Sequence, residues 1–142
     1  MNRLIFTLVF VVAAAIAPAA QQSGGVRVEF QGPGGHSFGA YGRVSALHAA
    51  SRTVILLQKA LPAGSYQITN LTGGNSVNAI ASDGLLELKL TAVSAKAYDA
   101  LVAAVTKAAE EGAAAENAFR GVKAGDLTAG APATVRTTVT RF

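Results

Sequence analysis

Val26, Val28 and Phe30 alternate with Arg27, Glu29 and Gln31. A period of two predicts a strand at 26–31 with one face turned to a core. The period then lengthens. Leu47, Ala50, Val54, Leu57 and Leu61 recur at steps of three and four, with His48, Arg52 and Lys59 off that stripe, which predicts a helix over 44–61. Thr53, Val54 and Ile55 are β-branched and would also suit a buried strand, but the helical period spans the whole segment. Leu61-Pro62-Ala63-Gly64 supplies its stop. Within the helix, Val54-Ile55-Leu56-Leu57 is too apolar for one face, so Ile55 and Leu56 are expected to need cover from a partner subunit.

Alternation returns at 65–72, with Tyr66 and Ile68 against Gln67 and Thr69, and at 84–92, with Leu86, Leu88 and Leu90 against Glu87 and Lys89. Between them lie a turn, Gly73-Gly74-Asn75-Ser76, and a short extended piece at 77–80. Ser94 suits the N-cap of a second helix. Its predicted buried stripe is Tyr98, Leu101, Val105 and Ala108, with Lys96, Asp99, Lys107, Glu110 and Glu111 in water. Gly112 is expected to weaken that helix, and Ala113 to Arg120 to continue it. A Gly/Ala-rich loop at 121–132 leads to a last strand at 133–141, where Val135 and Val139 alternate with Thr134, Arg136, Thr138 and Thr140. The order β-α-β-β-α-β predicts an α+β, ferredoxin-like sandwich: a four-stranded antiparallel sheet with two helices on one face.

The first nineteen residues stand apart. Arg3 opens a basic start, Leu4 to Ala17 is apolar but for Thr7, and Ala17-Pro18-Ala19 is a small-x-small site. This is the layout of a secretory signal with cleavage after Ala19. A membrane anchor is the alternative, although the run is short of the ~20 residues a spanning helix needs. The expected organisation is a signal peptide at 1–19, a linker at 20–25 and one domain at 26–142, secreted or periplasmic. A chain of 142 residues has room for that single domain. The formal net charge is +4, but the basic residues are scattered and form no run, so no nucleic-acid partner is expected; nor is a membrane, once the signal is removed. The absence of cysteine excludes disulfides, thiol catalysis and cysteine metal sites.

Two glycine turns carry the candidate chemistry. Gly32-Pro33-Gly34-Gly35-His36-Ser37-Phe38-Gly39 holds one histidine between a strand and a helix. Glycine admits backbone conformations closed to other residues, and histidine changes charge nearest neutral pH. His36 is therefore a site candidate, or an incidental surface histidine on a tight connection. Gly73-Gly74-Asn75-Ser76-Val77 leads to Asn78, whose amide both donates and accepts and suits a peptide-like group, or simply caps the turn. His48 reads as a surface or interface residue, and Glu110-Glu111 as a solvated helix face. Ser37 has no visible base, and no Lys-Ser/Thr follows the first turn to make a phosphate loop. His-x-Asp and His-Glu-x-x-His are both missing and Ser37 lacks a visible base, so no metal site and no catalytic residue is expected in this chain alone.

Taken together, Gly-Pro-Gly-Gly-His-Ser at 32–37, Ala46-Leu47-His48 and Gly-Gly-Asn-Ser-Val-Asn-Ala-Ile at 73–80 resemble the dimerisation (lid) domain of the clan MH zinc exopeptidases and deacylases. Relatives include acetylornithine deacetylase, succinyl-diaminopimelate desuccinylase, carboxypeptidase G-type enzymes and tripeptide aminopeptidases. Glu116-Asn117-Ala118 with Arg120 is similar to the end of that domain's second helix. The resemblance implies pairing through the first helix and an edge strand, which would cover Ile55 and Leu56. It implies that His36 steadies a substrate carbonyl in the partner's site and that Asn78 contacts substrate. Zinc would belong to a separate catalytic domain. Thr91 stands where many relatives have a carboxylate-binding arginine, Lys89 where an acidic residue is common, and Ala81 where proline is frequent. The expectation is a stand-alone secreted module, a homodimer or a heterodimer with a full-length zinc peptidase, without catalysis of its own. The alternatives are a fragment of a secreted zinc-dependent amidohydrolase and an unrelated small exported binding module.

Overall fold

The computed structural model describes residues 21–142. The expected signal peptide and its cleavage site lie outside the described residues. Strand β1 (Gln22–Gln31) leads through the first glycine turn to helix α1 (Ala46–Ala60); β2 (Tyr66–Thr72), β3 (Asp83–Ala92), α2 (Ala95–Phe119) and β4 (Arg136–Arg141) follow. The sheet runs β2-β3-β1-β4 with every neighbouring pair antiparallel. Both helices pack on one face of it, as the alternation predicts.

That face is built from Val26, Val28 and Phe30 of β1 and Leu86, Leu88 and Leu90 of β3, all buried. Each such side chain contributes about 1.5–3 kcal/mol relative to exposure. Most of the expected linker belongs instead to the first strand, since β1 begins at Gln22. Its glycines are the reason it can. A β-carbon on Gly24 would meet the Tyr98 hydroxyl at 2.6 Å, and one on Gly25 would meet the Phe142 ring at 2.6 Å. Gly25 and Phe142 exchange backbone hydrogen bonds of 2.9 and 3.0 Å.

Helix α1 buries Ala46, Ala49, Ala50, Thr53 and Leu57, and Leu61 just past its end is buried too, but Leu47 and Val54 of the expected stripe are not. The helix is rotated because α2 comes very close. At the crossing, a β-carbon on Gly112 would collide with Thr53 Oγ1 and lie 2.9 Å from the Ala49 carbonyl oxygen. Small residues there let two backbones meet. Leu47 and Val54 are half-buried and, by helical phase, turn away from α2 toward the β2 side. Helix α2 runs unbroken through Gly112 for 25 residues, and Val102 rather than Leu101 is buried. Packing at Gly112 outweighs the intrinsic helix cost of glycine.

Two further details differ from the sequence reading. A bulge between Ile68 and Asn70 shifts the β2–β3 register, so Leu71 lies opposite Leu86. The last strand starts at Arg136, not 133. Residues 133–135 are instead held by Asn117: the Val135 N–H donates to Oδ1 at 2.7 Å and Nδ2 donates to the Val135 carbonyl at 3.2 Å. The side chain acts as a strand partner one residue wide. Asn117→Ala removes both bonds, and the expected loss is about 1–2 kcal/mol in urea unfolding, with faster amide exchange at Val135.

Candidate functional site

The two glycine turns, forty residues apart in sequence, form one structure. Gly35–His36 pairs antiparallel with Ala79–Ile80, and the Ser37 N–H donates to the Asn78 carbonyl at 2.7 Å. Gly34 at φ 62° and Gly35 at φ 159° make the bend. A β-carbon on Gly34 would press on Ser82 Cβ at 2.6 Å. Arg43 Nη1 donates to the Gly34 carbonyl at 3.0 Å. Gly32 N–H bonds to the Ser82 carbonyl at 2.8 Å and Ala46 N–H to the Ala81 carbonyl at 3.0 Å, which fastens the ladder to β3 and to the start of α1.

His36 and Asn78 are thereby brought together at one end of the domain, both exposed. Asn78 Oδ1 accepts from the Ser76 hydroxyl at 2.6 Å, so its amide offers N–H donors to a ligand. Among the described residues, no three His, Cys, Asp or Glu side chains group together. Ala81 is buried behind the ladder, while Lys89 is exposed and Thr91 half-buried on β3. Glu110 and Glu111 lie exposed on α2, with Lys107 Nζ 3.8 Å from Glu111.

Behind the ladder sits a group whose place the sequence reading did not find. Glu116 is fully buried. The Ser45 N–H donates to its Oε1 at 3.1 Å, Arg52 Nε to Oε2 at 3.0 Å and Arg120 Nε to Oε1 at 3.3 Å. His48 Nδ1 lies 3.7 Å from Oε1, although most of the imidazole is in water. Burial pushes the carboxyl up. The Ser45 N–H, the Arg52 and Arg120 guanidiniums and His48 outweigh burial and hold it below the ordinary carboxylate value. Ser45 is the N-cap of α1, its hydroxyl accepting from the His48 N–H at 3.3 Å. One carboxylate of α2 thus fixes the start of α1 and, through Ala46, the ladder. The available signal was the spacing: Glu116 continues the Ala109–Gly112–Ala113 stripe at helical steps. A shallow cleft of about 470 Å³ lies between α1 and the second turn, lined by Ser45, Leu47, His48, Asn75, Val77 and Ile80 among others.

The sheet edges are unlike. Strand β4 ends in arginines engaged elsewhere: Arg136 donates to Gln31 at 3.2 Å and Arg141 to Asp99 at 2.7 Å. Strand β2, YQITNLT, carries no charge and no proline. Leu71 on β2 is 42 % exposed and Ile55 on α1 is 54 % exposed. Leu56 is half-buried and packs against the core.

Residues 19–117 match the peptidase dimerisation domain. No individually curated protein matches the chain. Among solved structures, it resembles a hydantoinase/carbamoylase family amidase from Burkholderia ambifaria at 20 % identity and TM-score 0.64, covering 89 % of this chain and 29 % of that one. A tripeptidase from Staphylococcus aureus matches at 16 % identity and TM-score 0.61, over 85 % of this chain and 29 % of that one. A dinuclear metal-binding peptidase of the M20 family from Bacillus subtilis matches at 18 % identity and TM-score 0.58, over 88 % and 26 % respectively. At such identities the likeness is one of fold, and the chain spans less than a third of each of these structures. Sheet order, the two helices on one face and a match reaching from the first strand to the end of α2 agree, and the chain belongs to the peptidase dimerisation domain family.

Proposed function

We propose that this protein is an exported association module. Its β2 edge and the adjoining side of α1 pair with the same face of a second domain of this kind, in another copy or in a full-length zinc peptidase. The observation that carries this is the unlike pair of edges: an uncharged, proline-free β2 beside exposed Leu71 and Ile55, against a β4 closed by engaged arginines. An open edge of that kind invites strand addition. Export is supported by the pattern of residues 1–19. In light scattering, the purified chain is expected at twice its monomer mass. Ile55→Asp and Leu71→Asp are each expected to give monomers with unchanged circular dichroism, because a desolvated carboxylate without a partner opposes pairing. A wild-type chain that stays monomeric and has no affinity for such peptidases overturns the proposal.

A second reading is favoured by the small share, 26–29 %, that the chain covers of the structures it resembles. In it the chain works with a catalytic domain encoded separately, and His36 and Asn78 hold a substrate carbonyl there. Hydrolysis then requires mixing with that domain, and His36→Ala is expected to depress turnover in the mixture without changing the dimer.

A further inference from the structure

Where α1 begins and α2 ends, the charges do not cancel. Arg52 Nε donates to Glu116 Oε2 at 3.0 Å and Arg120 Nε to Oε1 at 3.3 Å. Among the described residues, no other acid forms an ion pair with either guanidinium. Ser45 is the N-cap of α1 and Arg120 the C-cap of α2. The partial charges of these two helix ends are opposite in sign and offset each other. The count is left to the side chains: two guanidiniums against one carboxylate, with His48 Nδ1 at 3.7 Å from Oε1 adding no negative charge.

Both cations are also held by one ring. The Arg52 and Arg120 guanidinium carbons lie 5.1 and 4.9 Å from the centre of Phe119, which is 66 % exposed. Each guanidinium is thus tied to the same buried carboxylate and stacked on the same aromatic side chain, so the two are neighbours and their rotamers are restricted before a ligand arrives. Their Nη groups bond to no protein atom among the described residues, and both side chains reach water. We propose that these outward edges of Arg52 and Arg120 form a binding site for one tetrahedral oxyanion of the sulfate or phosphate class. A carboxylate offers two oxygens, the complement of a single guanidinium edge, whereas a tetrahedral ion carries enough acceptors to face both. Its charge offsets the surplus that Glu116 leaves. Arg52 reaches toward α2, away from β2, so the site stays open in the proposed pairing and does not depend on it.

The test is NMR of the ¹⁵N-labelled purified chain, following arginine Nε–H and backbone amide signals. The titrants are sodium sulfate, inorganic phosphate and phenyl phosphate, each against sodium chloride at matched ionic strength. Saturable shifts at Arg52, Phe119 and Arg120 are expected with sulfate and with inorganic phosphate, and none with chloride. Arg52→Lys and Arg120→Lys keep the charge but lose the planar fork, and each is expected to weaken binding about tenfold. Phe119→Leu leaves Glu116 and both arginines in place and is expected to weaken binding about threefold at unchanged circular dichroism. Because Phe119 lies mostly in water, this variant reads the site even where a lysine variant loses its fold. Shifts that do not saturate, the same shifts with chloride, or wild-type affinity in the folded variants overturn the proposal. Phenyl phosphate separates the sources within the class: binding at least as tight as inorganic phosphate admits esters, and weaker binding confines the site to free ions.

Discussion

Glu116→Gln is expected to destabilise the domain by about 3 kcal/mol, read as a lowered urea midpoint at unchanged slope. The amide keeps one acceptor oxygen, while its NH2 group turns a donor toward donors that the carboxylate satisfied. Arg52 and Arg120 lose the charge that their Nε groups face at 3.0 and 3.3 Å. Removing one member of a buried ion pair typically costs about 3–5 kcal/mol. Arg52 and Arg120 keep 35 % and 23 % of their side chains in water, which places this loss at the lower end. The pH dependence separates this from ordinary packing loss. A carboxyl held below its usual value binds its proton more weakly folded than unfolded, so its stabilisation is present above the unfolded value near 4.5 and is lost as the pH falls through the lower folded value. Glu87 is likewise held low, first by its bonds from Arg27, and slopes the same way. The difference between wild type and variant therefore isolates Glu116: it is expected to be large at pH 7 and to shrink below pH 4.5. A constant difference across that range would leave the carboxylate without the assigned role.

Gly112→Ala runs against helix propensity. In an exposed helix the change gains about 1 kcal/mol. Here the new methyl meets Thr53 Oγ1 and the Ala49 carbonyl, so the helices must separate. Overpacking of this kind costs about 1–3 kcal/mol, and the expected net effect is a loss of about 1–2 kcal/mol. Thr53 donates to the Ala49 carbonyl at 3.0 Å and is fully buried, so it has nowhere to retreat. Thr53→Ala in the same chain is expected to recover part of the loss. Calorimetric melting of the wild type and the two variants checks both signs. A stabilised Gly112→Ala would mean that the helices do not cross there.

The alternating strands were legible because each turns one face to water, so polarity marks the faces of β1 and β3 residue by residue. The helix faces were less so. Alanine carries little polarity signal, and α1 is oriented by Ala49 and Thr53 against Gly112, a packing of backbones that hydrophobic spacing does not report. Gly112 looked like a weakness for the same reason: its purpose is a neighbour 59 residues away in sequence at Thr53. The site was readable as two motifs but not as one place. Nothing local says that His36 lies opposite Ala79, because that pairing is made by β3 and α1 holding Ser82 and Ala81. Glu116 was visible as a motif, while its burial depended on Ser45 and Arg52, supplied from the other helix.

The asymmetry of the sheet's two borders bears on stoichiometry. In the proposed pairing, two β2 borders join about a twofold axis and each molecule then shows outward only its β4 side, where Arg136 and Arg141 discourage further strands. Growth by sheet extension therefore stops at two molecules, and a fibre is denied its next rung.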